Sequence, residues 1–216
     1  MSSLKEIIIA VIAIAILVVA PHLIRLPIPF LYTVPMIVLV WVLLKREKEN
    51  FTAIGFSFKR LGMRAVVTGI TGGIAIFLFL QYAFFPLLEK FSFKEPAKLE
   101  EFEFIRHHGG NYVFMLIMGW IVGGLYEEIV FHGFIFFKIE KLSGGRYALP
   151  VSFILTNLIF GLYHFQLGTT GVINALLAGS AYHALMIYFN RNMWYAVIAH
   201  GVFDTIALTY IYLGYW

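Results

Sequence analysis

The chain has 216 residues, no cysteine and a net charge of +4; 61% of it is hydrophobic, 18% aromatic and 13% charged, and its mean hydropathy is +0.85. That balance excludes an ordinary soluble domain and fits an all-α polytopic transmembrane bundle of one body. The missing cysteines exclude disulfides, thiolate nucleophiles and cysteine metal sites, and no Lys/Arg patch interleaved with aromatics points to nucleic acid.

Seven apolar segments read as spans: Glu6–Leu23, Pro27–Leu44, Arg64–Leu87, Asn111–Lys138, Tyr147–Phe165, Gly171–Phe189 and Asn192–Leu213. The first resembles a signal peptide in length, but no small-residue cleavage site follows, so it is expected as a retained helix. The second carries Pro27, Pro29 and Pro35, which predicts an irregular or kinked first half. The piece 51–59, FTAIGFSFK, is expected at the interface rather than across the bilayer. The connection 89–110 mixes both charges and is expected as a solvated loop or amphipathic helix, with substrate gating the weaker reading. The chain therefore divides into N-terminal helices with an interfacial segment and polar loop, 1–110, and core helices, 111–216. Tyr210, Tyr212, Tyr215 and Trp216 fit an interfacial aromatic belt.

Seven spans put Lys5, Lys45, Arg46, Lys48, Lys59, Arg60, Arg64, Lys138, Lys141, Arg146 and Arg191 on one side, eleven residues. The other side holds five: Arg25, Lys90, Lys94, Lys98 and Arg106. The asymmetry predicts a multi-pass protein of a prokaryotic cell membrane with its N-terminus in the cytoplasm.

Ionisable groups within spans are expensive and mark functional sites. Glu127 and Glu128 are adjacent, so on a helix they cannot point the same way; His132 lies one turn beyond Glu128 and can pair with it. Phe160 and His164 share a face near the end of the fifth span, and His200 and Asp204 share a face in the last. His22 and His183 have no polar partner at helical spacing and read as packing residues. Asn157 and Asn174 read as helix–helix glue, and Glu140, near Lys138 and Lys141, as a solvated charge.

The chain has no G-x-S-x-G and no H-E-x-x-H. What remains is a carboxylate base with histidines. A buried glutamate beside a histidine can hold a water and take its proton, and a histidine with an aspartate one turn away can provide or position donors for an oxyanion. That chemistry hydrolyses an amide.

These residues resemble the CAAX-protease and bacteriocin-processing (CPBP, or Abi) intramembrane proteases, which include the Ras-converting prenyl endopeptidases. The family pattern EExxxR, FxxxH, HxxxN/D matches Glu127-Glu128-Ile129-Val130-Phe131-His132, Phe160-Gly161-Leu162-Tyr163-His164 and His200-Gly201-Val202-Phe203-Asp204. Asn190–Trp194 is similar to the turn before the family's last helix, and the resemblance covers about residues 111–209. It implies that Glu127 and His164 activate water, that Glu128 supports them, and that His200 and Asp204 stabilise the oxyanion. His132 stands where the family has arginine, a titratable group for a permanent cation. The preferred site uses no cofactor; Zn2+ held by Glu127, His164 and His200 is the alternative. The expected function is endoproteolysis of a membrane-associated peptide or protein, prenylated CAAX substrates included, with the lipid bilayer as the other partner. An inactive scaffold or bacteriocin-immunity protein of the same fold and a small proton-coupled transporter are the alternatives.

Overall fold

A computed structural model describes residues 4–23, 30–91, 93 and 95–215. Among them every regular element is helical. We number the long helices α1 (Leu4–Leu23), α2 (Thr33–Arg46), α3 (Met63–Lys90), α4 (Gly109–Ser143), α5 (Ala148–Tyr163), α6 (Phe165–Tyr188) and α7 (Trp194–Leu213). Each expected span has a helix, but five, α1, α3, α4, α6 and α7, are long and apolar enough to cross a membrane. The other two have 14 and 16 residues, or about 21 and 24 Å at 1.5 Å per residue. Helix α2 is short because it starts only at Thr33, with Pro35 in its first turn, where a missing N–H costs nothing. The expected irregularity at Pro27 and Pro29 lies outside the described residues.

The apolar residues are distributed as a bilayer dictates. Ile8, Val11, Ile12 and Val19 of α1, Val34, Val38 and Trp41 of α2, and Val67, Ile74 and Leu78 of α3 face outward. Close packing inside relies instead on small residues. Gly69 and Gly73 of α3 lie against Ile198, Ala199 and Val202 of α7, where a Cβ at Gly69 would stand 2.6 Å from that of Ile198. Helix α7 is thereby central, packed on α3, α4 and α6, while α5 and α6 form an antiparallel pair against the end of α4.

Of two further segments, the second departs from sequence expectation. Residues 51–60 form two short 3-10 turns, Phe51–Ile54 and Phe58–Arg60, too short to cross. Within α4 the hydrogen bonding widens to a π-helix over Gly119–Ile135, where an ordinary α-helix is expected from the pattern. A π segment changes which side chains align and is frequent at functional sites; this one carries Glu127, Glu128 and His132.

On the Lys/Arg-rich side, two ion-pair groups close the bundle. Lys138, buried at 5% exposure, meets Glu47, which also takes a hydrogen bond from Lys141 at 2.9 Å. Glu140 is not the solvated charge expected of it: Arg191 grips it at both oxygens, 2.6 Å each. Arg60 in turn donates to the carbonyls of Arg191 and Asn190 at 3.0 and 2.7 Å, so the turn before α7 is tied to residues 58–60.

Candidate active site

The paired glutamates turn in different directions from the π segment of α4, as adjacent positions must. Glu128 is fully buried and bridges two histidines. Its Oε2 meets His132 Nδ1 at 2.7 Å and its Oε1 meets His200 Nδ1 at 2.9 Å, which links α4 to α7. A carboxylate accepts at both oxygens, so each ring donates from Nδ1.

Glu127 faces the other way, into a cavity. Its Oε2 lies 3.7 Å from His164 Nε2 and 4.0 Å from His200 Nε2, beyond direct hydrogen bonding but close enough for both rings to border one small molecule. His164 caps the C-terminal end of α5, and its Nδ1 donates to the Phe160 carbonyl at 2.8 Å. That bond leaves Nε2 of a neutral ring as a lone pair directed toward Glu127. Asp204 Oδ1 is 3.7 Å from His200 Nε2, one turn along α7. The five residues expected to be catalytic, Glu127, Glu128, His164, His200 and Asp204, thus meet in one place from three helices.

The two supporting residues lie in the same cluster. The Phe160 ring packs edge-on against His164 and His200, with centroids 4.8 and 6.0 Å apart, and lies 5.0 Å from His132. His132 is fully buried, and its Nε2 lies 3.2 Å from Asn157 Oδ1. The Asn157 amide nitrogen donates to the Phe153 carbonyl at 2.8 Å and approaches His183 Nδ1 at 3.1 Å, which fixes its oxygen toward His132. Asn157 and His183 therefore stand behind the site. Sequence reading took Asn157 as helix–helix glue, which these bonds make it, and set His183 aside because its partner is on another helix. His22 packs its ring on Tyr163 and Phe165.

Gly123 is a further residue that spacing could not flag. A Cβ there would stand 3.4 Å from His200 Nε2 and run into the Asp204 carboxylate, so a side chain at 123 would fill the gap between these groups and Glu127.

The cavity has a volume of about 1190 Å³. Its inner end holds Glu127, His164, His200 and Asp204; apolar walls come from Phe114, Met118, Phe160 and Phe203, among others. The connection after α3 folds over its outer end through Phe93, Glu95, Leu99 and Phe102, so it is a cavity wall rather than a purely solvated loop. Lys98 N–H donates to the Leu167 carbonyl and His107 N–H to that of Tyr212, at 3.0 and 3.1 Å, which ties this connection to α6 and α7. Glu89, Glu95 and Glu101 line the outer part, and no Lys or Arg lines any part among the described residues.

Among the described residues, no group of three or more His, Asp or Glu side chains is gathered to hold a metal ion. The zinc alternative of Glu127, His164 and His200 therefore has no ready coordination shell among the described residues.

No curated protein and no solved structure matches the chain. Residues 109–206, which span all three motifs, match the family model described as type II CAAX prenyl endopeptidase Rce1-like.

Proposed function

We propose that this protein is an intramembrane endopeptidase that cleaves membrane-associated peptides, prenylated CAAX substrates included, with water activated by Glu127 and His164. The observation that carries the reading is Glu127 Oε2 facing His164 Nε2 across 3.7 Å at the inner end of a large, mostly apolar cavity. A water held between them gives its proton to Glu127 as its oxygen attacks the peptide carbonyl carbon. The carbonyl π pair moves onto oxygen, and His200, in its doubly protonated form, donates from Nε2 to that oxyanion. When the intermediate collapses, the pair re-forms C=O, the C–N bond breaks, and the amine leaves with the proton held by Glu127. Glu128 touches no reacting atom in this scheme. It aims His200 through the 2.9 Å bond and is itself braced by His132.

The reading includes seven membrane crossings, with α2 and α5 completing the bundle, and a cytoplasmic N-terminus supported by the Lys/Arg asymmetry.

The test is cleavage of a farnesylated CAAX peptide by the purified protein, alongside Glu127→Gln and after exhaustive chelation. Wild type should cleave, and Glu127→Gln should fold normally yet lose roughly 10²–10⁴-fold in kcat, the span of general-base catalysis. Chelation should change little. Near-normal turnover by Glu127→Gln removes Glu127 as the base, and activity lost on chelation and restored by zinc replaces the metal-free scheme with one using Glu127, His164 and His200 as ligands.

A further inference from the structure

Oxyanion chemistry at this site is short of hydrogen-bond donors. An ionised Asp204 only accepts, so it offers nothing to a developing negative charge. His200 has committed Nδ1 to Glu128 and has one nitrogen left, Nε2, for the substrate. A second donor has to come from another element.

Tyr182 of α6 meets that need. It is 1% exposed, and its hydroxyl has no hydrogen-bond partner. A buried hydroxyl left unsatisfied is costly, so it is expected to serve a partner not supplied by the fold. The residue borders the catalytic cavity together with Glu127, His200 and Asp204. Its ring stacks on the His200 imidazole with centroids 4.6 Å apart and planes 19° from parallel, and the edge of Phe203 bounds it at 6.1 Å. Among the described side chains that border the cavity, two have a buried polar atom without a partner, Tyr182 and Gln166. The Gln166 atom is an acceptor, Oε1, so the unpaired buried donor is Tyr182.

We propose that Tyr182 is a further catalytic residue whose hydroxyl donates a hydrogen bond to the carbonyl oxygen of the scissile peptide, beside His200 Nε2. The phenol keeps its proton throughout; its contribution grows as the oxygen gains charge and ends when C=O re-forms. Stacking on His200 fixes both donors relative to each other, because the ring that carries one is packed flat on the ring that carries the other. This assignment rests on the endopeptidase reading above, and the test separates the two.

Wild type, Glu127→Gln, Tyr182→Phe and Tyr182→Leu would be assayed on the farnesylated CAAX peptide, each with its thermal midpoint. Tyr182→Phe keeps the ring and removes only the hydroxyl. It should melt with wild type and hold KM within about threefold while kcat falls by roughly 10²–10³-fold, the cost of one oxyanion-hole donor. Tyr182→Leu should lose the same kcat plus stability, since the stack goes as well. Wild-type kcat in Tyr182→Phe overturns the proposal, and so does a loss confined to KM or to the melting midpoint. If Tyr182→Phe is impaired while Glu127→Gln turns over normally, the base assignment fails and the donor stands. If wild type does not turn over, the endopeptidase reading fails and the donor assignment falls with it.

Discussion

At the scale of single residues, His132 stands where the family pattern that the motifs resemble has arginine. Both ring nitrogens face acceptors, the Glu128 carboxylate at 2.7 Å and Asn157 Oδ1 at 3.2 Å. A doubly protonated ring satisfies both and brings to position 132 the charge that arginine would carry. Removing it leaves a fully buried carboxylate with one partner instead of two. His132→Leu should therefore cost about 3–5 kcal/mol of stability and lower kcat, since His200 would be held by a less firmly placed Glu128. A melting curve and turnover rate check this together; a variant that melts with wild type would mean that His200 alone suffices to hold Glu128. The positions of Glu128 and His132 were legible in the sequence because their partnership is local, four residues apart on one helix. Gly123 and Tyr182 were not, because each faces a residue on another helix, Asp204 and His200 respectively; Asn157 was legible as helix–helix glue, but not as the partner of His132.

At the scale of elements, the ends of α2, α4 and α7 are joined by charges as well as by apolar packing. Lys138 is buried in α4 with Glu47 just beyond α2, so the pair ties a peripheral helix to the one that carries the glutamates. Burial alone would raise the Glu47 carboxyl, but hydrogen bonds and charge from Lys138 and Lys141 prevail and hold it below the usual carboxylate range. A depressed carboxyl stabilises the fold above the ordinary glutamate value of about 4.3 and loses that contribution as pH falls through its lower folded value. Glu47→Gln should thus be less stable than wild type at neutral pH by about 1.5–3 kcal/mol, the worth of hydrogen bonds to a charged group. The difference should shrink on acidification below about pH 4. Parallel melting curves across pH 3–7 test it; a gap that stays constant would show that Glu47 acts by packing and not by charge. The helices themselves were readable from hydropathy. The π segment of α4 was not, since Gly119–Ile135 has the same apolar composition that an α-helix would show.

At the scale of the whole molecule, the proposed seven-crossing topology and the cavity together predict the direction from which a substrate would arrive. With seven crossings, the ion-pair groups of Glu47, Lys138, Glu140 and Arg191 lie on the N-terminal side, in the cytoplasm by the positive-inside reading. The cavity extends the other way: its outer wall is the connection after α3 and the turn between α5 and α6, with Glu95, Leu99 and Leu167. A peptide would then enter from the extracytoplasmic face, and its scissile bond would reach Glu127 deep inside the bundle. The absence of cysteine from the whole chain makes this simple to check. Glu100→Cys and Ser143→Cys place single thiols at exposed positions on opposite sides. In intact cells a membrane-impermeant maleimide should label Glu100→Cys at once and Ser143→Cys only after lysis. The reverse pattern would turn the cavity toward the cytoplasm. The labelling pattern therefore tests the orientation of the cavity apart from the chemistry, which the purified protein and the farnesylated peptide test on their own.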